Sequence, residues 1–262
     1  NILHVIYLYN KILEHPELPF VPRTILLAGK AAPGYYMAKL IINLANDVAR
    51  VINSDPAVQG RLNLVFVPNY NVSVAEKIIP ATDISQHIST AGTEASGTGN
   101  MKFILNGALI QGTMDGANIE IAEEVGRENI FTFGLSSDEV SILAESGYNP
   151  RVSYQNNPGL IEALSMINTG YFNRDKPHLY NDLYNSLVFE DKYMLLEDFA
   201  SYDECRQKVI NTWKDQNTWT RMSILNTAGS GKFSSDRTIA EYAKDIWGLE
   251  AVTVELQGKK VR

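Results

Sequence analysis

Cysteine is almost absent. Cys205 is the only one, so no disulfide can form within the chain, and a reducing cytosol is the expected compartment. With no flanking motif, that thiol reads as structural. No basic run offsets the net charge of −7, which argues against nucleic-acid binding. No apolar run reaches the roughly 20 residues of a membrane span, and no signal-peptide pattern opens the chain. Internal repeats and low-complexity linkers are also missing. The histidines, His4, His15, His87 and His178, are scattered, and none pairs with another ligand type in a metal-binding pattern, so no metal site is expected. What is present is 262 residues, 45% of them hydrophobic, enough for a full core.

The chain alternates apolar runs with helical periodicity. Residues 2–14 read as a helix ended by Pro16 and Pro19, with no cap in front, so the sequence reads as a piece of a longer protein. Residues 23–29 read as a buried parallel strand, and a long amphipathic helix follows over 35–53, with Pro33 near its start. Residues 62–67 are the next strand. Ser73 is a candidate cap for a helix over 74–79. A more polar strand over 84–89, an apolar run at 108–111, a short helix over 119–125 and a strand over 129–133 complete the alternation. It predicts a Rossmann-like, doubly wound parallel sheet with ligands at the strands' carboxyl ends. From about residue 147 the pattern changes to a loop over 148–157. Helices follow over 160–168, 179–188, 202–213, 219–228 and 238–247, with a frayed ending. The expected division is an α/β core over 1–147 and a helical extension over 148–262 packed on the same domain.

The most informative stretch is Ser89-Thr-Ala-Gly-Thr-Glu-Ala-Ser-Gly-Thr-Gly-Asn-Met-Lys-Phe103. Gly92, Gly97 and Gly99 let the backbone approach a ligand, and a helix opens at Thr98 or Gly99. A glycine-rich turn feeding a helix start is an anion site. Lys102 falls in the first helical turn, where the dipole opposes a positive charge. That placement points to an amine acting beside a bound phosphate, against the plainer reading of a solvated lysine on a capped helix. Glu94, in Glu94-Ala-Ser-Gly97, is a carboxylate among small residues, suited to sugar hydroxyls, or else a solvated loop residue. Asp115, in Met114-Asp-Gly-Ala-Asn118, suits acid–base work and a turn equally. Asp138 and Asp236 read as helix-start residues. Gly229-Ser-Gly-Lys232 fails as a phosphate loop, since Phe233 stands where Ser or Thr is needed. Gly29-Lys-Ala-Ala-Pro-Gly34 lacks the dinucleotide spacing.

These residues carry a close resemblance to the C-terminal part of the α-glucan phosphorylases. The resemblance rests on Gly29-Lys-Ala-Ala-Pro-Gly-Tyr-Tyr-Met-Ala-Lys39, Asn69-Tyr-Asn-Val-Ser-Val-Ala-Glu-Lys77 and, above all, Ile88 to Lys102. Gly112-Thr-Met-Asp-Gly-Ala-Asn118 and Ser230-Gly-Lys-Phe-Ser-Ser-Asp-Arg-Thr-Ile239 add to it. It implies the incomplete C-terminal half of a GT-B-type two-domain glycosyltransferase. The implied reaction moves a terminal glucosyl unit from an α-1,4-glucan to inorganic phosphate, giving α-D-glucose 1-phosphate with retention. The implied cofactor is pyridoxal 5′-phosphate, a Schiff base on Lys102, whose 5′-phosphate serves as acid–base group. Gly97, Thr98 and Gly99 are implied to line the cofactor and its phosphate, and Tyr70, Asn71 and Val72 its ring. Glu94, Ala95, Ser96 and Gly97 are implied to bind the glucosyl hydroxyls. Animal members carry arginine at the position of Asn71.

The family has a basic segment, Lys-Arg-Ile-His-Glu-Tyr-Lys-Arg, just ahead of the matched region. It also has a first strand and an N-terminal domain that forms the other wall of the cleft. Without them this chain is expected to be inactive alone and to hold little or no cofactor. The whole enzyme is expected as a cytoplasmic homodimer. Two other classes compete. A sugar-nucleotide glycosyltransferase of the same two-domain type uses a Glu-x-x-Gly turn but has no need of Lys102. A non-catalytic scaffold draws support only from the chain's incompleteness.

Overall fold

The structure is a computed structural model describing residues 1–58, 60–250, 252, 254–256 and 259–261. Gln257, Gly258 and Arg262 of the expected frayed ending lie outside the described residues. The first part of the chain runs α1 (Ile2–Glu14), β1 (Arg23–Ala28), α2 (Tyr36–Ser54), β2 (Leu62–Val67), α3 (Val72–Ile78) and β3 (Ile84–His87). It continues with α4 (Gly99–Leu105), β4 (Leu109–Thr113), α5 (Ala117–Val125), β5 (Phe131–Phe133) and α6 (Ser137–Glu145). Then come α7 (Pro150–Tyr154), α8 (Pro158–Asn168), α9 (Asn181–Asn185), α10 (Leu195–Lys214), α11 (Gln216–Gly229) and α12 (Ser235–Glu241). Strands β6 (Val254–Leu256) and β7 (Lys259–Val261) pair antiparallel.

Strands β1 to β5 all pair parallel, as the alternation predicts, but in two sheets rather than one. Strand β1 pairs only with β2, and β3–β4–β5 form the second sheet. The free edges of β1 and β3 both border a slot of about 680 Å³. That slot explains why β1 is not the buried strand its sequence suggests. Its residues alternate between half-buried and exposed, with Leu26 45% exposed.

Strand β4 is buried at every residue. Successive side chains of a strand point to opposite faces. Accordingly, Ile110 packs with Ile104 of α4 and Ile121 and Val125 of α5, while Leu109 packs with Cys205 and Val209 of α10 and Met222 of α11. Helices therefore cover both faces of this sheet, which is why its central strand reads as a continuous apolar run. A larger cluster joins Ile6 and Tyr9 of α1, Val48 of α2, Leu164 and Ile167 of α8 and Leu183 of α9.

Several boundaries differ from expectation for local reasons. Pro33 lies ahead of α2, which begins at Tyr36. Helix α3 starts at Val72 because Asn71, not Ser73, caps it: the Asn71 carboxamide accepts from Val74 N at 3.2 Å. The expected loop over 148–157 contains α7, capped by Asn149 with Pro150 at its first position. Helix α10 begins seven residues early, because the buried Asp191 carboxylate accepts from Leu195 N at 3.0 Å and Leu196 N at 2.8 Å. Two expected helices end in wider π-helical turns, Ser186–Glu190 and Tyr242–Trp247.

His4 is 3% exposed, and its ring hydrogen-bonds Asp203 Oδ1 at 3.0 Å. Burial outweighs the pull of that carboxylate and lowers the imidazole to about 4 from 6.5. The unfolded chain therefore takes up a proton between these values and the folded chain does not. Stability from this group is complete above pH 6.5 and is lost as pH falls toward 4. A shift of this size corresponds to roughly 3 kcal/mol. Urea unfolding should thus weaken between pH 7 and 4.5. His4→Gln, which keeps an N–H for Asp203, should flatten that slope; an unchanged slope would refute the assignment.

Candidate functional site

The glycine-rich stretch leaves β3 at its carboxyl end, as expected for a ligand site in a parallel sheet. Four anchors hold it. Ser89 O accepts from Thr113 Oγ1 at 2.6 Å, and Thr90 Oγ1 donates to Tyr193 O at 2.6 Å. The Asp115 carboxylate accepts from Thr93 N at 3.2 Å and Glu94 N at 2.8 Å. Ala117 N donates to Ser96 O at 2.7 Å. Three of the four come from the segment joining β4 to α5.

That approach is possible because the segment lacks side chains at two points. A Cβ on Gly112 would stand 2.5 Å from Asn118 Nδ2 and 2.7 Å from His87 O. At Gly116, with φ +52°, it would stand 2.5 Å from Ser96 O. Beneath the turn, buried Asn100 at the start of α4 donates to Asn118 Oδ1 at 3.0 Å, and Asn118 donates to Thr113 O at 3.0 Å. The relay ties the helix carrying Lys102 to the end of β4.

These parts enclose a cavity of about 350 Å³, whose lining includes Glu94, Ser96, Gly97, Asp115, Asn100 and His87. The His87 imidazole is lowered to about 4 by burial, against the opposing effect of Glu94, so it is neutral at pH 7. Its Nε2 lies 3.2 Å from Ser85 Oγ. The lining offers a carboxylate, hydroxyls, amides and bare backbone, the groups that bind a polyol.

The expected site residues fall into four places. Glu94, Ser96 and Gly97 line the cavity; Ala95 is exposed on the same loop. Tyr70 lines the slot between the sheets together with Phe103 of α4. Asn71 and Val72 stand exposed at the start of α3, where the Asn71 amide also donates to Asn69 O at 2.9 Å. Thr98 precedes α4 without a side-chain capping bond and Gly99 is its first residue, with Lys102 N donating to Thr98 O.

Lys102 is placed differently from the sequence reading. Helix α4 has seven residues and Lys102 is the fourth, as near the last turn as the first. The dipole therefore does not oppose its charge, and that argument for a ligand falls away. What remains is an exposed side chain with no ion pair among the described residues. A free amine one turn from the bare backbone of Gly97 and Gly99 fits a phosphate-bearing aldehyde such as pyridoxal phosphate. Asp115 resolves toward the turn reading, and its hold on the loop needed the tertiary structure to be seen. Among the described residues no cluster of His, Cys, Asp and Glu is placed for a metal, and no helix is long and apolar enough to cross a membrane.

A parallel α/β fold with a polar cavity at the carboxyl end of its strands defines a broad class, and comparison of the sequence narrows it. The chain belongs to the carbohydrate phosphorylase family, whose profile matches residues 1–249. It is 52% identical over 256 residues to the liver form of glycogen phosphorylase from Bos taurus and 53% identical over 250 residues to the muscle form from Homo sapiens. It is 52% identical over 257 residues to glycogen phosphorylase from Synechocystis. These matches cover 95 to 98% of this chain and 30% of each relative, so the chain spans under a third of their length.

Removing Asn118 would strand the Asn100 amide in a buried site and take one of two donors from Thr113 O, which keeps Asp115 N at 2.9 Å. A donor so stranded costs about 1–3 kcal/mol. Asn118→Leu should therefore lower the unfolding free energy by roughly 1.5–4 kcal/mol in urea titration, one stranded donor plus one lost hydrogen bond. A loss below about 1 kcal/mol would mean the relay carries no load.

Proposed function

We propose that this chain is the C-terminal portion of a glycogen phosphorylase-type enzyme, which transfers the terminal glucosyl unit of an α-1,4-glucan to inorganic phosphate. The observation that carries this reading is the loop Glu94–Gly97. It lies within the region the family profile matches, and its Glu94, Ser96 and Gly97 line the 350 Å³ polar cavity. Glu94, Ala95, Ser96 and Gly97 hold the glucosyl hydroxyls. Lys102 anchors pyridoxal phosphate covalently, Gly97, Thr98 and Gly99 lie along it, and Tyr70 and Val72 give it apolar cover. The Asn71 amide serves the α3 cap, so its part is played by the backbone. General acid–base chemistry comes from the 5′-phosphate of the bound cofactor. The protein residues bind and orient the sugar, and the neutral His87 adds no charge to the cavity.

The finer architecture is part of the proposal. Residues 1–147 and 148–262 form one domain, on the strength of the cluster shared by α1, α2, α8 and α9. It is one half of a GT-B-type pair, and one further parallel strand seats in the slot between β1 and β3. Two features support that strand. Both edges have unpaired backbone groups, and Arg23 and Arg206, which line the slot, keep buried N–H groups without partners. Burial beside Arg206 lowers Arg23 to about 10. Carbonyls of an inserted strand would accept from these groups. The phosphate-binding cations then come from the family's basic segment just ahead of this region, and the other cleft wall from an N-terminal domain. The whole enzyme is a homodimer of the reducing cytosol.

The test uses the protein with that N-terminal part. Borohydride reduction should leave a pyridoxyl group on Lys102, and Lys102→Ala should abolish both the adduct and glucose 1-phosphate formation. Unchanged cofactor content in Lys102→Ala would sink the assignment. The 262-residue chain alone should form no glucose 1-phosphate. In hydrogen exchange, amides of β1 and β3 should be much better protected in the longer protein than in this chain; equal protection would exclude the inserted strand.

A further inference from the structure

We propose that Asp115 is a positioning residue for the glucosyl-binding loop, setting the place of Glu94 without itself touching the sugar. The inference rests on the function proposed above. Glu94 is exposed, and its carboxylate has one weak contact, Ser89 Oγ at 3.4 Å. Among the described residues no other hydrogen bond or ion pair holds that side chain, so its location depends on its backbone. That backbone is fixed from the β4–α5 turn. One oxygen of Asp115, Oδ2, takes both Thr93 N and Glu94 N. Two residues on, Ala117 N donates to Ser96 O, and at Gly116 the turn leaves no room for a Cβ, which would also meet Glu94 Cγ at 3.2 Å.

The charge arrangement supports this role over direct sugar contact. Placing a second carboxylate beside Glu94 costs like-charge repulsion, which two charge-assisted hydrogen bonds to adjacent amides offset. Asp115 is itself rigid: its N–H donates to Thr113 O at 2.9 Å and its carbonyl accepts from Asn118 N at 3.2 Å. The turn therefore joins two requirements of the reaction. Through Asp115 it sets the sugar loop, and through Asn118 and Asn100 it sets the helix of Lys102.

The two arms predict separable effects in the protein carrying its N-terminal part. Asp115→Ala should make the Thr93 and Glu94 amides exchange at least about tenfold faster and raise KM for glucose 1-phosphate about tenfold or more. Its kcat should change less, and its pyridoxyl content should not change. Asp115→Asn keeps an acceptor oxygen and should restore slow exchange and bring KM within about threefold of the parent. Gly116→Ala should displace the loop and raise KM further. Unchanged exchange in Asp115→Ala would overturn the proposal. So would Asp115→Asn with protected amides and a KM as poor as that of Asp115→Ala, because the lost charge would then act on the ligand directly. If Asp115→Ala does not fold, the Asp115→Asn pair of measurements decides. If the parent forms no glucose 1-phosphate, the proposed reaction falls, and amide exchange alone still decides whether Asp115 holds the loop.

Discussion

The site depends on one close approach, that of the β4–α5 turn to the glycine-rich stretch that follows β3. Parallel pairing sets it up, because β3 and β4 end side by side with His87 opposite Gly112. From there the two connections leave in the same direction and must share space. They do so through backbone: Gly112 and Gly116 carry no Cβ where one would collide at 2.5 Å. The contact is then made specific by Thr113, Asp115, Ala117 and Asn118, each of which meets a backbone or amide group of the stretch or of α4. Rigid packing on both faces of β4 gives that turn a fixed base.

A second constraint is left unmet within the chain. Parallel sheets are stable when buried on both faces and paired along their edges. Strand β4 satisfies that rule, whereas β1 and β3 each expose one edge to the slot. The slot also holds Arg23 and Arg206, whose buried N–H groups lack acceptors. Buried donors without partners are rare because each costs about 1–3 kcal/mol. Unpaired edges and unpaired guanidinium groups in the same place ask for the same thing, an extended segment rich in carbonyls.

The order and type of the elements through α6 were legible in the sequence because burial writes itself into periodicity, whereas α7 and the pair β6–β7 stand where a loop and a frayed ending were expected. The 3.6-residue pattern of α2 and the apolar run of β2 needed no tertiary context, and the glycines marked the functional stretch. What escaped depends on partners far along the chain. The half-exposed state of β1 follows from a neighbouring edge that is not paired. The early start of α10 follows from Asp191, held in place by Tyr148 OH at 2.8 Å, 43 residues away. The short length of α4, which removed the dipole argument for Lys102, reflects the chain's turn at Asn106 and Gly107, where Ser223 of α11 donates to Gly107 O at 2.7 Å. Asp115 looked like a turn residue or an acid. It is the former, and its second duty toward Glu94, 21 residues earlier, has no local sequence signal.

The electrostatics of the cavity divide the work between this chain and its surroundings. Among the described residues that line it, the charged ones are Glu94 and Asp115, both negative, and His87 is neutral. A phosphate group 4 Å from either carboxylate would be repelled by about 4 kcal/mol at an effective dielectric of 20. No arginine or lysine of the lining offsets that. The cavity therefore favours an uncharged, hydroxyl-rich group. Lys102 stands outside the lining, on α4, and Arg23 and Arg206 lie in the slot, on the far side of β3 from β4. A phosphate beside the cavity would need positive charge from outside this lining.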